Sequence, residues 1–332
     1  MPDVPDPHEQ LPPNPSFSDH LEYAGSQGLS VEHETMVEPD PVKREEARSL
    51  WGDAWRDLRR RPIFIVSSLL LVLLLLMAIV PQLFTDTNPR AADLVNDFLK
   101  PPDWTDFFGA GWFGYDGQGR SIYARVIYGA RASITVGICV TLAVTLLGGL
   151  TGMVAGYFGG VVDTVVSRIT DVFFGIPLLL GALVLLNAFT TRNVWTVVIA
   201  LAVLGWTQIA RVMRGAVLTV KQADYVVAGR ALGAGTGRLM FRHILPNALA
   251  PVIVVATIAL GGYIAAEATL SFLGIGLQDP TISWGVDISS AQKVIRTAPY
   301  ALFFPAAALS VTVLAFIMMG DAVRDALDPK LR

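Results

Sequence analysis

Charge is what this chain has least of. Only 16% of its 332 residues are Asp, Glu, Lys or Arg, against about a quarter in ordinary soluble domains. With 53% hydrophobic residues and a mean hydropathy of +0.52, the deficit points to a surrounding medium that penalises charge, which is lipid. The net charge of −3 says little, because in such a chain placement matters more than the sum. Cysteine is almost missing. Cys139 stands alone in an apolar run, which excludes an internal disulfide framework and argues against a thiolate metal site. Histidine is scarce too: His8, His20 and His33 lie in a polar N-terminal stretch, and His243 is the one near a structured segment, so no metal site is expected. There is no Gly-rich phosphate loop ending in Gly-Lys-Ser/Thr, no His-Glu-x-x-His and no Gly-x-Ser-x-Gly. The chain is therefore expected to bind no nucleotide or other cofactor itself, and an intramembrane enzyme is disfavoured.

What is present is long apolar runs. Residues 1–45 are rich in Pro, Asp, Glu and Ser, too polar to offset their ordering entropy, and are expected to be a disordered tail. No short apolar run with a small-residue cleavage site follows the start, so a cleaved signal peptide is not expected. After a juxtamembrane segment, 46–61, six stretches are long enough to cross about 30 Å of hydrocarbon. They are Pro62–Leu83, Ala132 to about Phe158, Asp163–Phe189, Val194 to about Met213, Pro246–Gly276 and Ala298–Gly320. Backbone polar groups cannot stay unpaired in lipid, so all six are predicted helices and the fold class is all-α. Residues 84–131 form a segment outside the membrane, 132–326 a transmembrane core and 327–332 a short tail. Gly148, Gly149, Gly152 and Gly156 allow close helix approach in the second span. Pro177 is expected to kink the third.

Lys and Arg set the orientation. Lys43, Arg44, Arg48, Arg56 and Arg59–Arg61 precede the first span. Lys221, Arg230, Arg238 and Arg242 lie between the fourth and fifth, and Arg324, Lys330 and Arg332 follow the sixth. With six spans these share one side, so both termini are expected in the cytoplasm. The segment after the first span also carries Arg90, Lys100, Arg120, Arg125 and Arg131, but mixed with Asp93, Asp97, Asp103, Asp106 and Asp116.

The most informative loop is 221–246. Asp224 is the expected N-cap of a short helix, Tyr225–Leu232. Gly233, Gly235 and Gly237 would supply a turn, and Arg238–Leu245 a second helix with Leu239, Phe241 and Ile244 apolar. Pro246 then opens the fifth span. Asp163, Arg168 and Asp171 are spaced so that Arg168 and Asp171 share a helix face. A structural ion pair is the simplest role for them. Glu267 is the one carboxylate deep in an apolar run; it either holds the fifth span to a neighbour by a hydrogen bond or contacts a substrate.

The loop resembles the signature of binding-protein-dependent ABC permeases: Glu-Ala-Ala, three residues, Gly, nine residues, Ile-x-Leu-Pro. Val227-Ala228-Gly229 take the first positions, Gly233 the next, then His243 and Leu245-Pro246. Val227 replaces the usual Glu, Gly229 an Ala and His243 an Ile. Ala231-Leu232-Gly233-Ala234 and Arg242-His243-Ile244-Leu245-Pro246-Asn247 are similar to the dipeptide/oligopeptide branch. So are Gly119–Ser133, Gly156–Pro177, Glu267–Leu277 with Trp284-Gly285, and Leu327–Lys330.

That resemblance implies a type I importer permease that forms half of a path for peptides. It makes Asp224, Tyr225, Ala228–Gly233, Arg238, Arg242, His243, Leu245 and Pro246 the docking loop for separate ATPase subunits, which would hold ATP and Mg. The implied partners are a homologous second permease, one or two ATPase chains, an extracytoplasmic solute-binding protein and the lipid bilayer, with no nucleic acid. The same branch also imports nickel complexes, glutathione and other small solutes. A stand-alone secondary transporter is the competing reading, but it would need inverted repeats and coupling-ion sites, and no internal repeat is seen.

Overall fold

The computed structural model describes residues 56 and 58–327. The expected tail 1–45, most of the juxtamembrane segment and residues 328–332 lie outside these. The described residues are helical, with no strand beyond an isolated bridge between Tyr115 and Ser121.

Helix α1 (Pro62–Ile79) starts at a proline, which needs no intrahelical N–H partner there. It ends before Pro81, where a single 3-10 turn carries the chain to Leu83. Helix α2 (Ile122–Phe158) begins ten residues before the predicted Ala132, with Ser121 as its N-cap accepting from Ala124 N–H at 3.3 Å. The early start brings Arg125 and Arg131 into the helix because each has a partner. Arg125 pairs with Asp287, and Arg131 donates to the last carbonyls of α1, Ala78 and Ile79, both at 2.9 Å.

The third predicted span is not one kinked helix. Helices α3 (Gly160–Phe174) and α4 (Leu178–Asn187) meet at 84° across Gly175-Ile176-Pro177. Pro177 caps α4 in an extended conformation, which a residue inside a continuous helix could not adopt. Helix α5 (Val194–Val220) is capped by Asn193, which accepts from Trp195 and Thr196 N–H groups while Thr196 Oγ1 accepts from Asn193 N–H, a reciprocal capping box. Then come α6 (Asp224–Ala231), α7 (Leu245–Phe272), α8 (Trp284–Ala291) and α9 (Tyr300–Leu327). Five of these helices are long and apolar enough to cross a bilayer, and the α3–α4 pair makes a sixth when counted as one broken span.

Helices α2 and α5 pack most extensively, and glycine makes that possible. A Cβ on Gly152 would collide with the Ala210 carbonyl and stand 3.0 Å from Met213 Cβ; one on Gly156 would lie 2.9 Å from Val217 Cβ. Gly148 meets the backbone of Trp206 and Ala210 in the same way. The stripe at 148, 152 and 156 thus lets two backbones touch, as small residues do in membranes. Gly149 faces elsewhere, with only Met213 Cε nearby at 3.7 Å. The main apolar cluster spreads from this seam to α7 and takes in Val226 of α6. Helices α1 and α9 pack on a second cluster that includes the fully buried Trp284.

Candidate functional site

The loop after α5 is built on an anchored root. Lys221 Nζ donates to the Gly156 carbonyl at 2.7 Å, tying the ends of α5 and α2 together. Helix α6 follows with Ala223, not Asp224, as its N-cap, and no side chain caps it. Asp224 is the first helical residue, where a carboxylate still complements the positive end of the helix dipole. Val226 is wholly buried and joins the cluster that holds Leu239, Met240 and Ile244. The helix closes at Gly233, which takes φ +81°. Gly233 N–H bonds to Arg230 O and Ala234 N–H to Gly229 O, both at 3.0 Å. This is the Schellman closure, and it requires the left-handed conformation that glycine adopts freely. Gly235 and Gly237 have no such role; neither has positive φ.

The second loop helix is not separate. Thr236–Arg238 makes one turn, Leu239–Ile244 is π-helical, and the helix runs straight into α7. It is the extension of the fifth span. Around this frame the surface carries large apolar groups: Leu232 is 89% exposed, with Phe241, Val227 and Tyr225 also exposed. Arg230, Arg238 and Arg242 are exposed among them, as are Ala228, Ala231, Gly233 and Pro246. Gly229, His243 and Leu245 are half-buried. A Cβ on Gly229 would sit 3.4 Å from Leu239 Cδ2, ordinary contact, so this position asks for a small residue and not for glycine itself.

The charged residues of α3 look to α5 and not to each other. Asp163 takes a two-pronged pair from Arg214, with Nη2–Oδ2 at 2.6 Å and Nε on Oδ1. Asp171 pairs with Arg211 at 3.0 Å, and that guanidinium lies 3.9 Å over the Phe174 ring. The expected Arg168–Asp171 pair does not form; Arg168 is exposed. Arg211 and Arg214 were the missing partners, and nothing in the spacing along one helix could name them. Next to the α3–α4 bend is an open cavity of about 380 Å³ lined by Phe173, Pro177, Gly205, Gln208 and Tyr263, among others. Gln208 is exposed at the middle of α5.

Glu267 is fully buried in α7. Its Oε1 accepts from Ser271 Oγ at 2.8 Å and from Ser283 Oγ at 3.3 Å. Ser283 is the N-cap of α8 and also receives Val286 N–H. Glu267 therefore ties α7 to α8 and has no open face for a solute. Trp284, beside that cap, is fully buried and donates to the Val126 carbonyl of α2 at 2.9 Å. Arg125 and Asp287 complete this side as a buried ion pair.

Residues 148–332 match the family described as binding-protein-dependent transport system inner membrane component. The chain belongs to that permease family. Residues 49–102 also match the N-terminal transmembrane domain of oligopeptide transport permease C. The chain is 38% identical over 288 residues to the oligopeptide transport system permease protein OppC of Bacillus subtilis, covering 87% of this chain and 92% of that one. It is 36% identical over 303 residues to the dipeptide transport system permease protein DppC of the same organism, covering 91% and 92%. It is 36% identical over 291 residues to the glutathione transport system permease protein GsiD of Shigella flexneri, covering 88% and 94%. This permease is thus a multi-pass membrane protein of the type I ABC importer fold and of the dipeptide/oligopeptide branch. Membership implies ATPase subunits and a solute-binding protein as partners.

Proposed function

We propose that this permease forms half of a peptide path through the cytoplasmic membrane, without catalytic activity of its own, and is driven through α6. The observation that carries the docking role is Leu232. A leucine 89% exposed beside a rigid glycine closure, with Tyr225 and Phe241 also exposed, is what a protein interface needs and what a loop in water avoids. Arg230, Arg238 and Arg242 are exposed on the same loop, favouring an apolar groove with an acidic rim on the partner. The partner is the ATPase subunit, which binds ATP and Mg; one or two such chains would serve. The loop and both termini then lie in the cytoplasm.

Peptide is the preferred solute because OppC and DppC relatives are both similar over nearly the whole chain. Glutathione, itself a small peptide, is the second reading, favoured by the GsiD relative. The solute would pass along the α3–α4 bend and Gln208, between this chain and a homologous second permease. Replacing Gly233 with valine tests the docking role: the left-handed turn opposes a β-branched side chain, so uptake and solute-stimulated ATP hydrolysis in the reconstituted complex should both fall. Normal values for both would sink the proposal.

A further inference from the structure

Residues 84–121 fold on the side opposite the α6 loop, against the start of α9. Tyr300 Oη donates to the Leu99 carbonyl at 2.6 Å. The Phe113 ring stacks on Phe304 at 4.0 Å, and Trp104 meets Phe304 edge-on at 6.3 Å. Trp112 links Phe107, Phe108 and Tyr123 in the same aromatic cluster. Yet Trp104 and Phe107 are each 65% exposed, and Phe108 is also exposed. Phe108 even takes φ +64°, a conformation unfavourable for a bulky residue. A water-facing loop would gain nothing from displaying three large rings.

Their height in the molecule accounts for them. From Tyr300 to Gly320 α9 carries no charge, and at about 1.5 Å per residue this run spans about 30 Å, the thickness of the hydrocarbon layer. Phe303, Val311, Leu314 and Ile317 are exposed along it at helical spacing, an apolar stripe suited to lipid. Phe303 and Phe304 occupy the first turn, at the boundary between hydrocarbon and headgroups. Trp104 and Phe113 both meet Phe304, the neighbour of Phe303, which sets the exposed rings of 104–108 beside the outer end of that stripe. Asp103 and Asp106, beside them, have carboxylate oxygens bonded to the loop's own groups: Asp103 Oδ1 accepts from Thr105 N–H at 2.9 Å and Asp106 Oδ2 from Gly111 N–H at 2.8 Å.

We propose that residues 104–108 lie in the membrane interface, with Trp104, Phe107 and Phe108 inserted among the lipid headgroups as an aromatic anchor beside α9. Tryptophan favours this zone because its ring is apolar while its N–H can reach water. The test uses the full transport complex in lipid nanodiscs, with phosphatidylcholine brominated either near the glycerol backbone or deep in the chain. Subtracting the fluorescence of a Trp104→Phe complex isolates Trp104. Its emission should be quenched roughly twofold more by the shallow bromines than by the deep ones, and little by aqueous iodide. Phe107→Trp, added to Trp104→Phe, gives a second reporter that should behave alike. Quenching by iodide with no effect of either lipid would overturn the anchor. So would rings that ignore both lipids but become shielded when the binding protein is added, which would make this patch a protein interface.

Discussion

Val226 and Leu232, six residues apart at the two ends of α6, have opposite environments: the first is wholly buried and the second is 89% exposed. One fixes the helix to the α7 extension, and the other stands in solvent, where the proposed docking would bury it. Val226→Ala should loosen the loop by about 1.5 kcal/mol, two methylenes' worth of burial, seen as faster proteolysis between residues 221 and 240. Leu232→Ala should leave that proteolysis unchanged and weaken ATPase binding. Equal effects of both substitutions on proteolysis would mean that Leu232 is structural.

Arg125 and Asp287 form a buried pair, with side chains 3% and 7% exposed. Asp287→Asn leaves the guanidinium buried without its counter-charge and should destabilise the fold by about 3–5 kcal/mol. Exchanging both for apolar residues of similar size (Arg125→Met with Asp287→Leu) should recover most of that loss. Thermal unfolding of the detergent-solubilised protein distinguishes the two outcomes; equal losses would place the instability elsewhere.

Gly152 and Gly149 differ by three positions and by their neighbours. Gly152→Leu should push α2 off α5, reducing the yield of folded protein, because its Cβ meets backbone that cannot yield. Gly149→Ala should be tolerated, since only Met213 Cε stands near, at 3.7 Å. Size-exclusion profiles of the two variants provide the comparison.

Asp93 and Asp103 cap turns in the segment over α9. Hydrogen bonds from the Asn96 side chain and from the Thr105 hydroxyl, respectively, hold their carboxyls below the ordinary 3.8. A lowered folded-state value contributes stability that is complete above 3.8 and lost as pH falls through the lower value. The contribution of these two caps to the segment's proteolytic resistance should therefore be intact at about pH 5 and lost only below about pH 4. Loss between about pH 5 and about pH 7 would contradict this.

The spans were legible because a run such as Pro62–Ile79 is apolar but for Ser67 and Ser68 and carries no charge, and the loop because Gly233 and Leu245-Pro246 stand at a distinctive separation. The true start of α2 was hidden by Arg125 and Arg131. Hydropathy penalises a guanidinium whether or not its charge is satisfied, and here Asp287 and the carbonyls of α1 satisfy them from elsewhere in the chain. The break at Gly175–Pro177 was legible as a kink at Pro177, but its size of 84° was not, since a proline signals a bend without setting its angle. Asp163 and Asp171 were recognisable as charges needing partners. Naming Arg214 and Arg211 required knowing that α3 lies against α5.

The docking role proposed for α6 requires the surface around Leu232 to meet the ATPase. Leu232→Cys, in a chain whose native Cys139 is replaced by alanine, can be treated with a short bifunctional crosslinker in membranes of cells making the whole transporter. The expected product is an adduct with the mass of this permease plus one ATPase subunit, with the introduced thiol protected from membrane-impermeant reagents added outside intact cells. Labelling from outside, or an adduct with the solute-binding protein, would contradict it.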